Sequence, residues 1–180
     1  MRQKREKQVR KPKIITVRAA PRDRRRGLVS IGPLVFPAAL GRASISSRKR
    51  EGDGATPLST MRLISGFTRS TPPATRLPLI STRSDMLWCD APGHASYNRL
   101  VRAPFAASHE KMMRDDGLYD VCLVMDWNIS GRKRNGGSAI FLHLIRGHYE
   151  PTEGCIAVGP QTMRRLLPLM ETGTIVRVVR

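Results

Sequence analysis

A mainly β fold, either a sandwich or an irregular barrel with one or two short helices, is predicted by three features of this 180-residue sequence. Short runs rich in Val, Ile and Thr recur between Gly- and Pro-bearing turns, and only one region shows helical spacing of its apolar residues. The length fits one domain able to bury a substantial core, and with only 5% aromatic residues that core must rest on Val, Ile, Leu and Met. We place this domain at 13–180, behind a basic flexible arm at 1–12 that lacks an apolar face.

Taken in order, 13–18 (Lys-Ile-Ile-Thr-Val-Arg) is β-branched and predicts a first strand. Two short strands are expected over 27–36 and 37–45, linked through a proline turn, and 49–54 reads as a charged, glycine-rich turn. Alternation predicts a strand over 60–67, whereas Pro72, Pro73 and Pro78 make 70–78 a surface connection. After a minimal strand at 79–82, the mixture of Trp88, Cys89, Pro92, Gly93, Tyr97 and Asn98 within 85–98 suits a substrate-facing loop. Segment 110–114 looks helix-like, with His109 as a cap or a substrate contact. Buried strands are expected over 120–127 and 138–144. The loop 131–137 between them lacks the strand-to-helix context and G-K-[ST] ending of a phosphate loop, so it reads as a hairpin connection. Met163, Leu166, Leu167 and Met170 share one face of a helix over 160–170 that Pro168 should shorten, Gly173 ends it, and 174–179 is a closing strand.

The formal charge is +18, of which +10 falls in residues 1–26 and +8 in residues 27–180. Such a field favours polyanions, and the basic arm fits nucleic acid, anionic envelope polymers or lipid headgroups, or a solvated terminus that aids solubility. No stretch reaches the ~20 apolar residues that span a bilayer. Arg24-Arg25-Arg26 before 27–40 mimic a leader, but Pro33 and Pro37 break the apolar run and a strand precedes it, so this segment is not read as one.

Cys89, Cys122 and Cys155 form no C-x-x-C pair, which argues against a structural zinc site and a disulfide framework. Cys122 lies in an apolar strand run and is expected to be inert, while Cys89 has no assigned role. Cys155 differs, because it follows Gly154 on a tight turn and lies twelve positions after His143, at the end of an expected strand. A thiol needs a neighbouring imidazole or positive potential to become a fast nucleophile, and a glycine tolerates the strained turn that would expose the sulfur. The other reading of the same residues is a small buried hydrophobe and a core histidine; His148 and His109 compete with His143 as the base.

Ser138 to His143, followed by Pro151-Thr152-Glu153-Gly154-Cys155-Ile156-Ala157-Val158, resembles the catalytic motif of the YkuD-type L,D-transpeptidases. Residues 49–57 resemble that family's K-x-G-D-x-x-T-P strand and turn, and Asn128 with 135–138 resembles the approach to the histidine. Glu153 and Ala157 stand where many members carry histidine and arginine; with Ser108-His109-Glu110, they resemble a small single-domain proteobacterial branch. The resemblance implies a YkuD-like β fold and a catalytic Cys155, His143 and Gly154. It also implies that no metal or organic cofactor is needed. The expected substrate contacts are Thr152, Ser138, Asn128, Tyr97, Asn98, His109, Lys49, Glu51 and Asp53. It further implies donor and acceptor peptidoglycan stem peptides as partners, a periplasmic or envelope location, and a monomer. Hydrolysis at the same Cys-His site, or a nonenzymatic basic protein binding polyanions, are the alternatives.

Overall fold

The computed structural model describes residues 13–71 and 74–180; the basic arm at 1–12 lies outside the described residues. Alternating burial along β1 (Ile14–Ala19) and β2 (Arg26–Ile31) sends Ile15, Val17, Val29 and Ile31 inward. β3 (Leu34–Ala39) follows through a turn at Gly32-Pro33, where Gly32 adopts φ +54°, a value glycine reaches without strain. This corrects the expected turn at Pro37. Pro37 pairs with Leu28 inside the hairpin, but β13 (Ile156–Val158) reaches only Ala38 and Ala39 on the other side of β3. The missing proline N–H therefore falls beyond that second ladder.

One large sheet runs β11 (Val121–Met125), β12 (Phe141–Leu144), β13, β3, β2, β1, β14 (Ile175–Val178), β6 (Thr60–Thr68) and β7 (Leu79–Ser81). An additional antiparallel pairing of β11 with β6 closes it into a barrel-like sheet, removing most of its edge. The mainly β expectation therefore holds. Inside lie Leu40, Met61, Leu63, Leu123, Leu142, Ile156 and Val176, packed against Met163 and Leu166 of α1 (Pro160–Leu166). A turn of 3-10 helix at Leu167–Leu169 replaces the last part of the expected helix, at Pro168. Two short strands, β4 (Ile45–Ser46) and β5 (Thr56–Pro57), pair beside the barrel.

A second layer was not expected. β8 (Met86–Cys89) is buried along its whole length between β9 (Arg99–Arg102) and β10 (His109–Lys111). Hence the segment read as a loop from residue 85 begins with a core strand, and only its later half is irregular. The helix-like segment at 110–114 begins instead as the edge strand β10, held by Glu110 opposite Trp88 and His109 opposite Cys89. Trp88 then packs edge-on against Phe141, with centroids 5.1 Å apart, joining this small sheet to the barrel. Among the described residues no helix is long and apolar enough to cross a membrane.

Candidate active site

The parallel pairing of β12 and β13 sets Leu142 beside Ile156 and His143 beside Ala157. With a period of two along each strand, Cys155 and Ala157 share a face with Phe141 and His143. That face opens onto a cavity of about 360 Å³ lined by both Cys155 and His143. The expected strand at 138–144 begins only at Phe141, because Ala139 takes φ +50° and turns the chain. The turn carries the Ala139 carbonyl to 3.1 Å from the Cys155 sulfur, and the Phe141 N–H donates to the same sulfur at 3.3 Å.

Thr152 shapes the cysteine turn from below. Its hydroxyl donates to the Cys155 carbonyl at 2.7 Å and accepts from the Gly154 N–H at 3.2 Å. Gly154 has φ +131°, and a methyl group there would stand 2.8 Å from the Ala55 carbonyl oxygen and 3.4 Å from Lys49 Nζ. Lys49 is 3% exposed in its side chain, and its ammonium donates to Asp53 at 2.5 Å.

His143 is 5% exposed. Its Nδ1 lies 2.7 Å from the Leu144 carbonyl, which can only accept, so the proton sits on Nδ1 and Nε2 is left as the basic nitrogen. Burial pushes the imidazole down to about 4, keeping it neutral near neutral pH. Burial also pushes the Cys155 thiol up to about 12; the Glu110 charge adds to this, and the Phe141 amide and Lys49 oppose it. The thiol and the imidazole are therefore both neutral near neutral pH.

Lys49, Glu51, Ser138 and Thr152 all line the cavity. Asp53 stands behind Lys49 as its partner. The remaining expected contacts are elsewhere. Asn98 is buried: its Oδ1 accepts from Trp88 Nε1 and Ala139 N, both at 3.0 Å, and its Nδ2 donates to the Trp127 carbonyl. It holds the Ala139 turn and lies outside the cavity lining. Asn128 is likewise spent within its own loop, donating to the Lys133 and Gly137 carbonyls and accepting from Lys133 N. Tyr97 is buried and hydrogen-bonds Glu51, and burial followed by that carboxylate raises its phenol well above the ordinary range. His109 lies outside the cavity lining, bonded through Nδ1 to the Ala107 carbonyl, and His148 is absent from the lining as well.

The model of the YkuD family, the L,D-transpeptidase catalytic domain, matches residues 14–178. The chain belongs to this family. Comparison with curated protein sequences finds no match. Among solved structures, L,D-transpeptidase 1 of Mycobacterium tuberculosis is similar, at 12% identity and a TM-score of 0.41. The alignment covers 93% of this YkuD domain chain, which spans 62% of the mycobacterial chain.

Sequence reasoning passed over Glu110, Tyr119, Arg114 and Asp90, all of which line the cavity. Glu110 was within reach: once 109–111 is a strand, its side chain and that of His109 point to opposite faces, so only one of the two enters.

Proposed function

We propose that this YkuD-family chain is a peptidoglycan L,D-transpeptidase acting through a thioester on Cys155. The reading is carried by one observation: a thiol and an imidazole with a free Nε2 open onto the same cavity. His143 removes the thiol proton as the sulfur attacks the carbonyl of an L-centred diamino acid residue in a donor stem. The peptide C–N bond breaks, the departing D-residue takes the proton from the imidazolium, and the acyl group stays on sulfur. An amine of an acceptor stem then displaces the sulfur and forms the crosslink. Water in place of that amine gives L,D-carboxypeptidase or endopeptidase activity through the same intermediate. Thr152, Gly154 and Lys49 position the nucleophile, and Ser138 and Glu51 stand ready to touch substrate. Such a substrate places the protein in the cell envelope, most simply as a monomer, with its basic residues drawing in anionic wall polymers.

Incubation with purified disaccharide-tetrapeptide tests this reading. A crosslinked dimer or a trimmed product is expected by mass spectrometry, together with a carbapenem adduct on Cys155, and Cys155→Ala should abolish both. A folded protein that gives neither overturns the proposal. If the protein is instead a nonenzymatic polyanion binder, salt-sensitive binding will survive Cys155→Ala and be lost on deleting residues 1–12.

A further inference from the structure

The charges around the cavity do not balance. Lys49, Arg114 and Arg146 line it, yet each is committed to a carboxylate outside the lining: Lys49 to Asp53 at 2.5 Å, Arg114 to Asp116 at 2.6 Å and Arg146 to Asp116 at 2.8 Å. Glu110 and Asp90 line the same cavity and form no ion pair among the described residues. Among the described residues Glu110 accepts one hydrogen bond, from the Tyr119 hydroxyl at 2.7 Å, and Asp90 Oδ1 is buried without a partner. A second group in the lining is also unsatisfied. Ser138 is 6% exposed, and its hydroxyl, beside the Tyr97 phenol, has no aligned hydrogen-bond partner among the described residues. Partly buried carboxylates without a counter-ion are unfavourable, so a cation with N–H donors is the ligand that this wall of the cavity lacks.

Resting on the thioester reading above, we propose that Glu110, with Asp90 beside it, binds the ammonium group of the acyl acceptor, and that Glu110 takes the proton that makes this amine nucleophilic. The step balances. An acceptor R–NH3+ gives one proton to the Glu110 carboxylate, its nitrogen forms the new C–N bond as the C–S bond breaks, and its second proton passes through His143 to the departing sulfur. The amide keeps the third. Glu110 and Cys155 line the same cavity, so an amine held at the carboxylate stands in the space onto which the sulfur opens. The Tyr119 hydrogen bond fixes the carboxylate, and the ring of Tyr119 packs on His143 at 5.2 Å, so base and acceptor site share one brace.

The test separates the two halves of the reaction. The full chain is acylated with disaccharide-tetrapeptide, and mass spectrometry follows acyl-enzyme formation and its partition between water and added glycinamide. For Glu110→Gln, the readout is how the acyl-enzyme that forms partitions, whatever the rate at which it forms. Aminolysis by glycinamide should fall at least tenfold, and its dependence on carboxylate ionisation should vanish from the pH profile. Hydroxylamine, an amine uncharged at neutral pH, should still capture the acyl-enzyme of the variant. Asp90→Asn, the milder change, should raise the glycinamide concentration needed for half-saturation. Unchanged glycinamide partition in Glu110→Gln, or equal loss with both amines, overturns the proposal. If Glu110→Gln does not fold, an unaltered glycinamide saturation curve in Asp90→Asn overturns it instead. Absence of any acyl-enzyme in the parent protein defeats the thioester reading itself, a distinguishable result.

Discussion

Gly154 faces the Ala55 carbonyl across a gap too narrow for a side chain on the glycine. The approach joins the turn that carries Cys155 to the residue that follows the charged 49–54 segment, far away in sequence. Gly154→Ala must place a methyl group 2.8 Å from the Ala55 carbonyl at φ +131°, a backbone conformation L-residues rarely adopt. We expect a loss of about 2–4 kcal/mol in denaturant unfolding. Acylation should fall further than stability alone explains, because any relief of the clash moves the sulfur.

Lys49 is buried, and its charge is one of two features that favour the thiolate of Cys155. Lys49→Met keeps an aliphatic chain against Gly137 and removes only the ammonium. Iodoacetamide should then label Cys155 roughly three- to tenfold more slowly at a fixed pH. Asp53 offers an internal check. Burial opposes its ionisation, but the Lys49 hydrogen bond and two backbone amides win and hold its carboxyl below the usual range. A lowered carboxyl pKa gives stability that is present above the unfolded value and lost as pH falls through the folded one. In Lys49→Met that acid-side loss should shrink.

Several barrel strands were legible because they carry their own pattern, whereas β13 and the turn between β2 and β3 were not. Ile15, Val17, Val29 and Ile31 alternate with polar or exposed neighbours, and no tertiary knowledge is needed to read them as one face. The small sheet was not legible for the opposite reason. Met86 to Cys89 are buried on both faces and so show no alternation, and His109 to Lys111 form a strand only because β8 offers them an edge. The proposed nucleophile and base could be named from Gly154-Cys155 and a strand-end histidine. Their electrostatic setting could not, because Glu110 and Tyr119 reach the cavity through pairings absent from local sequence. Asn98 and Asn128 were misassigned for a related reason: a polar residue near a site reads as a contact until its hydrogen bonds are counted.

Asn98 should therefore behave as a structural residue. Truncation to Ala leaves the Trp88 indole N–H and the Ala139 amide buried without an acceptor. A cost of about 2–4 kcal/mol is expected from the three lost hydrogen bonds, read as a lowered denaturant midpoint. The effect on chemistry should come from the Ala139 turn. Once Ala139 is free to move, its carbonyl no longer holds the Cys155 thiol, and acylation should slow while any acyl-enzyme that forms partitions normally.

His143 sets the acid limit of the protein. Burial, reinforced by Arg114, takes its imidazole from the ordinary 6.5 down to about 4, while the Leu144 carbonyl and Asp116 pull the other way. Between those two values the unfolded chain binds a proton that the folded chain refuses, so unfolding gains on folding as pH falls across this window. The loss should reach on the order of 3 kcal/mol near pH 4 relative to neutrality. Glu110 has the opposite sign, since burial raises its carboxyl and its protonation favours the folded state on acidification. Urea titrations of the parent and His143→Gln, compared at pH 7 and pH 4.5, isolate the histidine. The difference in stability between the two proteins should narrow or reverse toward acid, because Gln has no proton to refuse. Acylation by the parent should show no step near pH 6.5 and should fall only as pH approaches 4. A step near 6.5 would mean that His143 is solvated in the working enzyme, and the closed, neutral pair described above would not be the reactive state.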